Sequence, residues 1–255
     1  MHVAKSGRLF RELTEGLPRQ GPGSPESTRR ALAVIRGLPA HPRILDVGCG
    51  PGAQTIELAR ATGGEIVALD IRQRFLDELV ERATAAGVAA QITTRRGSMA
   101  EIDFADQSFD LLWSEGAIYI FGFAKGLSEW RRFIKPGGWV GVSELSWIVP
   151  DPPQAPREFW AESYPGMNST QRNCEIVAEA GYVDLSTFVL PVSDWWNYYG
   201  PGETRANELR AKYAGDPETL AALGDTREYD LYRAYSHSYS YVFYVMRSPT
   251  RDRQT

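Results

Sequence analysis

Three glycines fall at alternate positions in Ile44-Leu45-Asp46-Val47-Gly48-Cys49-Gly50-Pro51-Gly52. Residues without side chains let a backbone bend tightly and let a ligand come close to the main chain. The apolar residues before them read as a short buried strand. Ala53 to Ala61 reads as a helix whose first free N–H groups face that ligand. A second apolar strand, Ile66-Val67-Ala68-Leu69, ends in Asp70, and a carboxylate at that place accepts hydrogen bonds from a ribose diol. Together these residues point to a nucleoside-containing cofactor held at the carboxyl ends of parallel strands.

The spacing narrows the choice. A dinucleotide's pyrophosphate favours G-x-G-x-x-G, whereas Gly48 to Gly52 run G-x-G-x-G. Asp46, two residues before the first glycine, is badly placed beside a pyrophosphate and well placed beside an amino group or an ordered water. A Rossmann-type NAD(P)-dependent oxidoreductase is therefore the second reading. The plainest alternative is that the glycines only turn the chain and Asp70 only caps a helix. Further along, Glu115 follows a fourth strand and Glu144 sits near the end of a fifth, so both belong to the active edge of such a sheet. With His237 they are candidate general bases for an acceptor that must lose a proton. Either glutamate would equally suit a cationic amine, or an arginine partner.

Asp46 to Gly52 with Asp70 resembles the first two motifs of the class I S-adenosylmethionine-dependent methyltransferases. Within that class the similarity is to the type 11, quinone-biosynthesis-methyltransferase-like group that acts on small molecules. Lys135-Pro136-Gly137-Gly138 between a helix and a strand fits the same group, and the class resemblance runs from Ile44 to Ser146. Over its full length the chain also resembles a bacterial subfamily, through Arg19-Gln20-Gly21-Pro22-Gly23-Ser24, Trp113-Ser114-Glu115-Gly116-Ala117-Ile118-Tyr119 and Ser143-Glu144. The resemblance implies S-adenosyl-L-methionine as cofactor and assigns its contacts. Gly48 and Gly50, with Asp46 nearby, would hold the methionine portion, and Asp70 the ribose. Ile71, Ser98 and Met99 would flank the adenine. Backbone near Ser114 and Glu115 would face the amino-acid end, and Arg19 and Gln20 would reach its carboxylate from an N-terminal cover. It also implies a small-molecule methyl acceptor. Glu115, Glu144 and Tyr119 are the candidate catalytic residues. Tyr119, Trp147, Trp160, Tyr164, Trp195, Trp196 and Tyr199 are expected to form an aromatic acceptor wall, because ring faces favour a cation and exclude water. A protein that binds the cofactor without chemistry is a third reading.

These residues need a scaffold to position them. Residues Met1 to Gln20 read as an amphipathic helix, with Leu9, Phe10, Leu13 and Leu17 at helical spacing, and Glu26 to Gly37 as a second after a Gly/Pro bend. Arg72 to Ala86 is a helix, Ala89 to Thr94 a third strand and Phe109 to Ser114 a fourth. Gly126 to Ile134 is a helix, Lys135 to Gly138 a turn and Trp139 to Ser146 a fifth strand. Prolines at 150, 152, 153 and 156 predict irregular chain from Trp147 to Gly166. Asn168 to Ala180 is then a helix and Tyr182 to Leu190 a strand. An insertion opens at Asp194, with helices over Glu203 to Tyr213 and Pro217 to Tyr235, before a last strand from His237 to Met246. The predicted fold is α/β: a Rossmann-like, seven-stranded, mostly parallel sheet with helices on both faces and the last strand antiparallel. Four stretches are expected: an N-terminal helical cover (1–40), a cofactor-binding core (41–147), a C-terminal part of the same domain carrying lid insertions (148–247), and a frayed polar tail (248–255).

Composition limits the function classes. A net charge of −4 offers nothing to nucleic acid or anionic membrane, and no Asn-Pro-Pro-Tyr string is present to hold a flipped base. Three scattered histidines and two cysteines form neither a metal cluster nor a disulfide framework. With no signal peptide and no run of apolar residues long enough to span a bilayer, a cytoplasmic protein is expected, monomeric or homodimeric.

Overall fold

The computed structural model describes residues 2–250, with side chains from Gly7 onward. In chain order the elements begin with α1 (His2–Thr14), α2 (Pro25–Ala33), β1 (Arg43–Val47), α3 (Ala53–Thr62), β2 (Glu65–Asp70), α4 (Gln73–Ala85) and β3 (Ile92–Arg96). They continue with β4 (Phe109–Glu115), α5 (Phe123–Trp130), β5 (Ile134–Trp147), α6 (Gln154–Ser163), β6 (Asn168–Ser169), α7 (Thr170–Glu179) and β7 (Val183–Val189). The last four are α8 (Val192–Lys212), α9 (Pro217–Leu223), α10 (Arg227–Tyr235) and β8 (Tyr239–Arg247).

The strand order is β3-β2-β1-β4-β5-β8-β7, with the two-residue β6 beside the end of β5. Strands β3 to β5 are parallel, and β8 runs antiparallel between β5 and β7. Continuous apolar runs are what a sheet covered on both faces requires. Ile44, Leu111 and Trp113 pack in one core layer, while Leu45, Val47 and Leu112 pack in the other. The reversal of strand order between β1 and β4 opens a crevice at the carboxyl ends, where ligands bind in sheets of this kind.

Several boundaries differ from the sequence expectation for identifiable reasons. Lys135 to Gly138 do not turn the chain out of the sheet but form a bulge within β5. Phe109 pairs with Ile134 and Leu111 already with Trp139, so the four residues Lys135 to Gly138 of one strand face the single Asp110 of the other. That bulge is tied to the segment predicted to fray. Gly137, at φ +78°, donates to the Ser248 carbonyl (3.1 Å), and Ser248 donates to the Gly138 carbonyl (2.8 Å). Residues 251–255 of the predicted tail, and Met1 of the predicted first helix, lie outside the described residues. The segment after Trp147 contains α6 despite its prolines, because Pro156 falls in the first turn, where no intrahelical N–H is needed. The predicted insertion at Asp194 is the start of one long helix, α8, which continues through Pro201. The predicted helix from Pro217 to Tyr235 breaks after Leu223, where the Asp225 carboxylate accepts from the Arg227 N–H (3.2 Å).

Close packing of β4 on β5 leaves no room at Gly141. A Cβ there would stand 2.4 Å from the Trp113 ring. Gly141→Ala is therefore expected to lower stability by about 1–3 kcal/mol through overpacking alone, measured as the shift in urea midpoint at unchanged m-value.

Candidate active site

Residues Gly48, Gly50 and Gly52 take φ of +73°, +54° and +89°, a region closed to most side chains. Space forbids side chains as well: a Cβ on Gly48 would lie 2.6 Å from the Ala117 Cβ, and one on Gly52 2.1 Å from the Leu79 Cδ1. The N–H groups of this loop are turned inward. Gly48 and Cys49 both donate to the Leu69 carbonyl (2.8 and 3.0 Å), Gly50 donates to the Asp70 Oδ2 (3.0 Å), and Gly52 to the Cys49 carbonyl (3.1 Å). Asp70 also accepts from the Arg72 N–H on its Oδ1 (2.8 Å), so one carboxylate joins the end of β2 to the loop after β1. Burial raises the Asp70 pKa, against the pull of those N–H donors.

Asp46 lies behind the loop, fully buried, and does not line the cavity beside it. It accepts from the Thr55 hydroxyl (2.6 Å) and from the Gln54 amide (3.3 Å), and Gln54 does face the cavity. Burial pushes the Asp46 carboxyl up to about 7. Ser114 is likewise buried, its hydroxyl donating to the Val47 carbonyl (2.9 Å) to hold β4 against β1.

The cavity at the strand ends measures about 380 Å³. Gly48, Gly50, Asp70 and Ile71 form one wall, Ser98 and Met99 a second, and Glu115 and Tyr119 a third. Arg19 and Gln20 close it from the N-terminal side. The expected cofactor residues are thus brought together around one cavity, save Asp46 and the Ser114 side chain. Phe10, Phe75 and Tyr198 also line it and were not anticipated.

Arg19 reaches the site as half of a buried ion pair. Its Nη2 donates to the Glu115 Oε2 (2.7 Å), and both side chains are almost wholly buried. The Glu115 Oε1 accepts from the Thr28 hydroxyl (2.6 Å) and the Trp113 indole N–H (3.0 Å). A carboxylate held by a guanidinium and two further donors is poorly suited to take a proton. Glu144 differs. It lies on β5, is 1% exposed, and its Oε1 accepts from the Tyr164 hydroxyl (2.7 Å). Its Oε2 has no partner among the described residues. Burial pushes this carboxyl up to about 8. The ring of Tyr164 meets Tyr119 edge-on, with centroids 5.7 Å apart.

The expected aromatic wall is mostly core. Trp195 stacks on Tyr232 with centroids 4.0 Å apart and donates its indole N–H to the Ser240 hydroxyl (2.9 Å). Tyr199 lies beside it, Trp196 packs edge-on to Tyr199, and Trp147 and Trp160 both pack against Tyr239. None of these five lines the cavity, nor does Tyr164 itself, so of the wall only Tyr119 borders it. His237 is exposed beside Tyr235, away from the cavity, and is no base for it. Helical periodicity carries the missed signal: Trp195 and Tyr199, four residues apart, share the buried face of α8, and Tyr198 sits on its flank. Among the described residues there is no cluster fit to hold a metal ion.

Removing one side of the buried ion pair leaves the other charge stranded. Arg19→Met is expected to cost about 3–5 kcal/mol, and adding Glu115→Gln to recover part of it, read by urea unfolding of the two singles and the double. Asp46 gives a pH dependence whose sign follows from its raised pKa. Between its unfolded value near 3.8 and about 7 the native state holds a proton that the unfolded chain lacks, so stability falls as pH rises through that window. Asp46→Asn is expected to flatten that slope in unfolding curves taken between those pH values.

Residues 44–138 match a family model described as a methyltransferase domain. A sterol 24-C-methyltransferase from Yarrowia lipolytica is 35% identical over 121 residues, covering 47% of this chain and 31% of that protein. The chain thus spans about a third of the length of the sterol methyltransferases it matches. A S-adenosylmethionine-dependent methyltransferase from Geobacter sulfurreducens, solved with S-adenosyl-L-homocysteine, superposes with a TM-score of 0.79 at 22% identity, over 94% of this chain and 97% of that one. The [4+2]-cyclase SpnF superposes at 0.69 and 19% identity, over 96% and 92%. Residues 44–138 thus resemble a methyltransferase domain, and the whole chain has the fold of solved S-adenosylmethionine-dependent methyltransferases.

Proposed function

We propose that this protein binds S-adenosyl-L-methionine in the cavity at the ends of β1, β2 and β4 and transfers its methyl group to a small-molecule acceptor. The observation that carries the reading is the state of the glycine loop. From Gly48 to Gly52 every residue with an N–H donates it within the protein, and Pro51 has none. A pyrophosphate needs free N–H groups at this place, so the loop does not suit a dinucleotide. A sulfonium needs none. Asp70 and Glu115 at the cavity are balanced by Arg19 and Arg72, so the lining carries no excess positive charge to draw a pyrophosphate.

The residues fit the cofactor by parts. Asp70 borders the cavity with one N–H on each oxygen and so has acceptor capacity left for a ribose diol, Ile71 and Met99 give apolar surface and Ser98 a hydroxyl for an adenine, and Gly48 and Gly50 admit close approach of the methionine chain. Arg19 and Gln20 stand where a carboxylate would end. When bound, the cofactor supplies a methyl group on a positively charged sulfur that becomes neutral as the methyl leaves. The protein's part is orientation, with the acceptor atom held about 3 Å from that carbon and in line with the sulfur, and exclusion of water. Tyr119 and Tyr198 close the acceptor end. Of the two glutamates expected to act as base, Glu144 is the better suited, since Glu115 is committed to Arg19, Thr28 and Trp113. Among the described residues no helix is long and apolar enough to cross a membrane.

Calorimetric titration with S-adenosylhomocysteine tests the assignment. Asp70→Ala is expected to weaken binding at least about tenfold, some 1.4 kcal/mol; an unchanged dissociation constant would remove Asp70 from the site.

A further inference from the structure

We propose that Gln54 receives the α-ammonium group of the cofactor's methionine portion on its side-chain oxygen, with Asp46 behind it as the positioning residue. The inference rests on the methyl-transfer reading and adds a binding residue that neither the glycine spacing nor the resemblance assigns. Gln54 lies in the first turn of α3, just after the loop from Gly48 to Gly52. It is 6% exposed, and it borders the cavity.

The two ends of a glutamine amide differ in chemistry, and here the partners fix which end faces inward. The Gln54 Nε2 donates to the Cys49 carbonyl (3.1 Å) and to the Asp46 Oδ2 (3.3 Å). A main-chain carbonyl can only accept, so the NH2 group stays on that side whether or not Asp46 holds a proton. Both amide hydrogens are thereby used within the protein. No described residue donates to the Oε1, which leaves that oxygen as the acceptor Gln54 offers to the cavity.

Three parts of the cofactor carry donors: the ammonium, the ribose hydroxyls and the adenine amine. Asp70 serves the ribose and Ser98 the adenine, from other walls. Gln20, which closes the cavity with Arg19, comes within 3.8 Å of where a Cβ on Gly50 would stand, so the methionine portion runs along the loop that leads into Gln54. An ammonium brings three N–H donors, and a charged donor strengthens the bond to an amide oxygen.

Asp46 adds to that attraction. It is fully buried, it accepts only from Thr55 and Gln54, and it has no ion pair among the described residues. A carboxylate accepting from one end of an amide makes the oxygen at the other end more negative, since successive hydrogen bonds polarise one another. The guanidinium groups at the cavity are engaged elsewhere: Arg19 donates to Glu115, and Arg72 lies over the rings of Phe10 and Phe75.

The test titrates the whole protein with three thioethers: S-adenosylhomocysteine, its analogue lacking only the amino group, and methylthioadenosine, which lacks the amino acid altogether. The native protein should bind S-adenosylhomocysteine about tenfold more tightly than the deaminated analogue. Gln54→Met keeps the length of the side chain and removes the amide. It should weaken S-adenosylhomocysteine about tenfold, some 1.4 kcal/mol, and leave the other two within about twofold. Asp46→Asn turns a donor toward Gln54 and should cut the preference over the deaminated analogue severalfold, with methylthioadenosine bound as before. An unchanged affinity for S-adenosylhomocysteine in Gln54→Met overturns the inference, as does equal weakening of all three ligands. If Gln54→Met does not fold, Asp46→Asn decides, and a preference that survives there overturns it. Failure of the native protein to bind either S-adenosylhomocysteine or methylthioadenosine would instead bring down the methyl-transfer reading, and this inference with it.

Discussion

The carboxylate of Asp70 ties the glycine loop after β1 to the turn after β2. One oxygen accepts the Gly50 N–H and the other the Arg72 N–H, while the preceding residue's carbonyl takes the N–H groups of Gly48 and Cys49. The end of β2 therefore dictates the shape of the loop after β1, and everything around the cavity is arranged on that loop. The positive φ angles of the glycines are the conformations that let four N–H groups turn inward. Side chains at Gly48 and Gly52 would also collide with Ala117 and Leu79, so the loop is seated directly on β4's exit and on α4.

A loop that satisfies its own donors has an electrical consequence. The attraction of a glycine loop for phosphate depends on N–H groups left open, and from Gly48 to Gly52 they are closed. What faces the cavity is carboxylate, the paired guanidinium of Arg19, that of Arg72, and aromatic or aliphatic surface. The N-terminal cover is fixed by the same kind of economy. The Ser27 hydroxyl donates to Asp194 and the Thr28 hydroxyl to Glu115, and the Asn197 amide donates to the Gly23 carbonyl, so α8 and β4 together hold the segment that closes the site.

The glycine loop, α3, β2 and Asp70 were legible in the sequence because each leaves a local mark: an apolar run, a glycine spacing, a carboxylate at a strand end. The mostly parallel sheet and the antiparallel β8 followed from the alternation of strands with helices and from the resemblance, whereas the order of the strands left no such mark. The aromatic wall was misread because bulky rings have two uses that look alike in one dimension. Trp195 and Tyr199 at helical spacing, and Tyr239, Tyr241 and Phe243 at strand spacing, are the pattern a buried interface needs. The prolines after Trp147 were read for what they forbid and not for the first-turn position they allow. The pairing of Arg19 with Glu115 spans 96 positions, and no local spacing encodes it.

Likeness of fold does not extend to the chemistry, since a [4+2]-cyclase shares this architecture across nearly the whole chain. What distinguishes one member from another lies beyond the cofactor loop, where β4, β5, α6, α8 and α10 converge. There this chain places carboxyl groups under tyrosine hydroxyls, one of them with an oxygen that no described residue satisfies. Folding would gain from replacing such a group by an apolar one of the same shape. Its place near the end of β5 sets it behind Tyr164, one ring away from Tyr119, which borders the cavity.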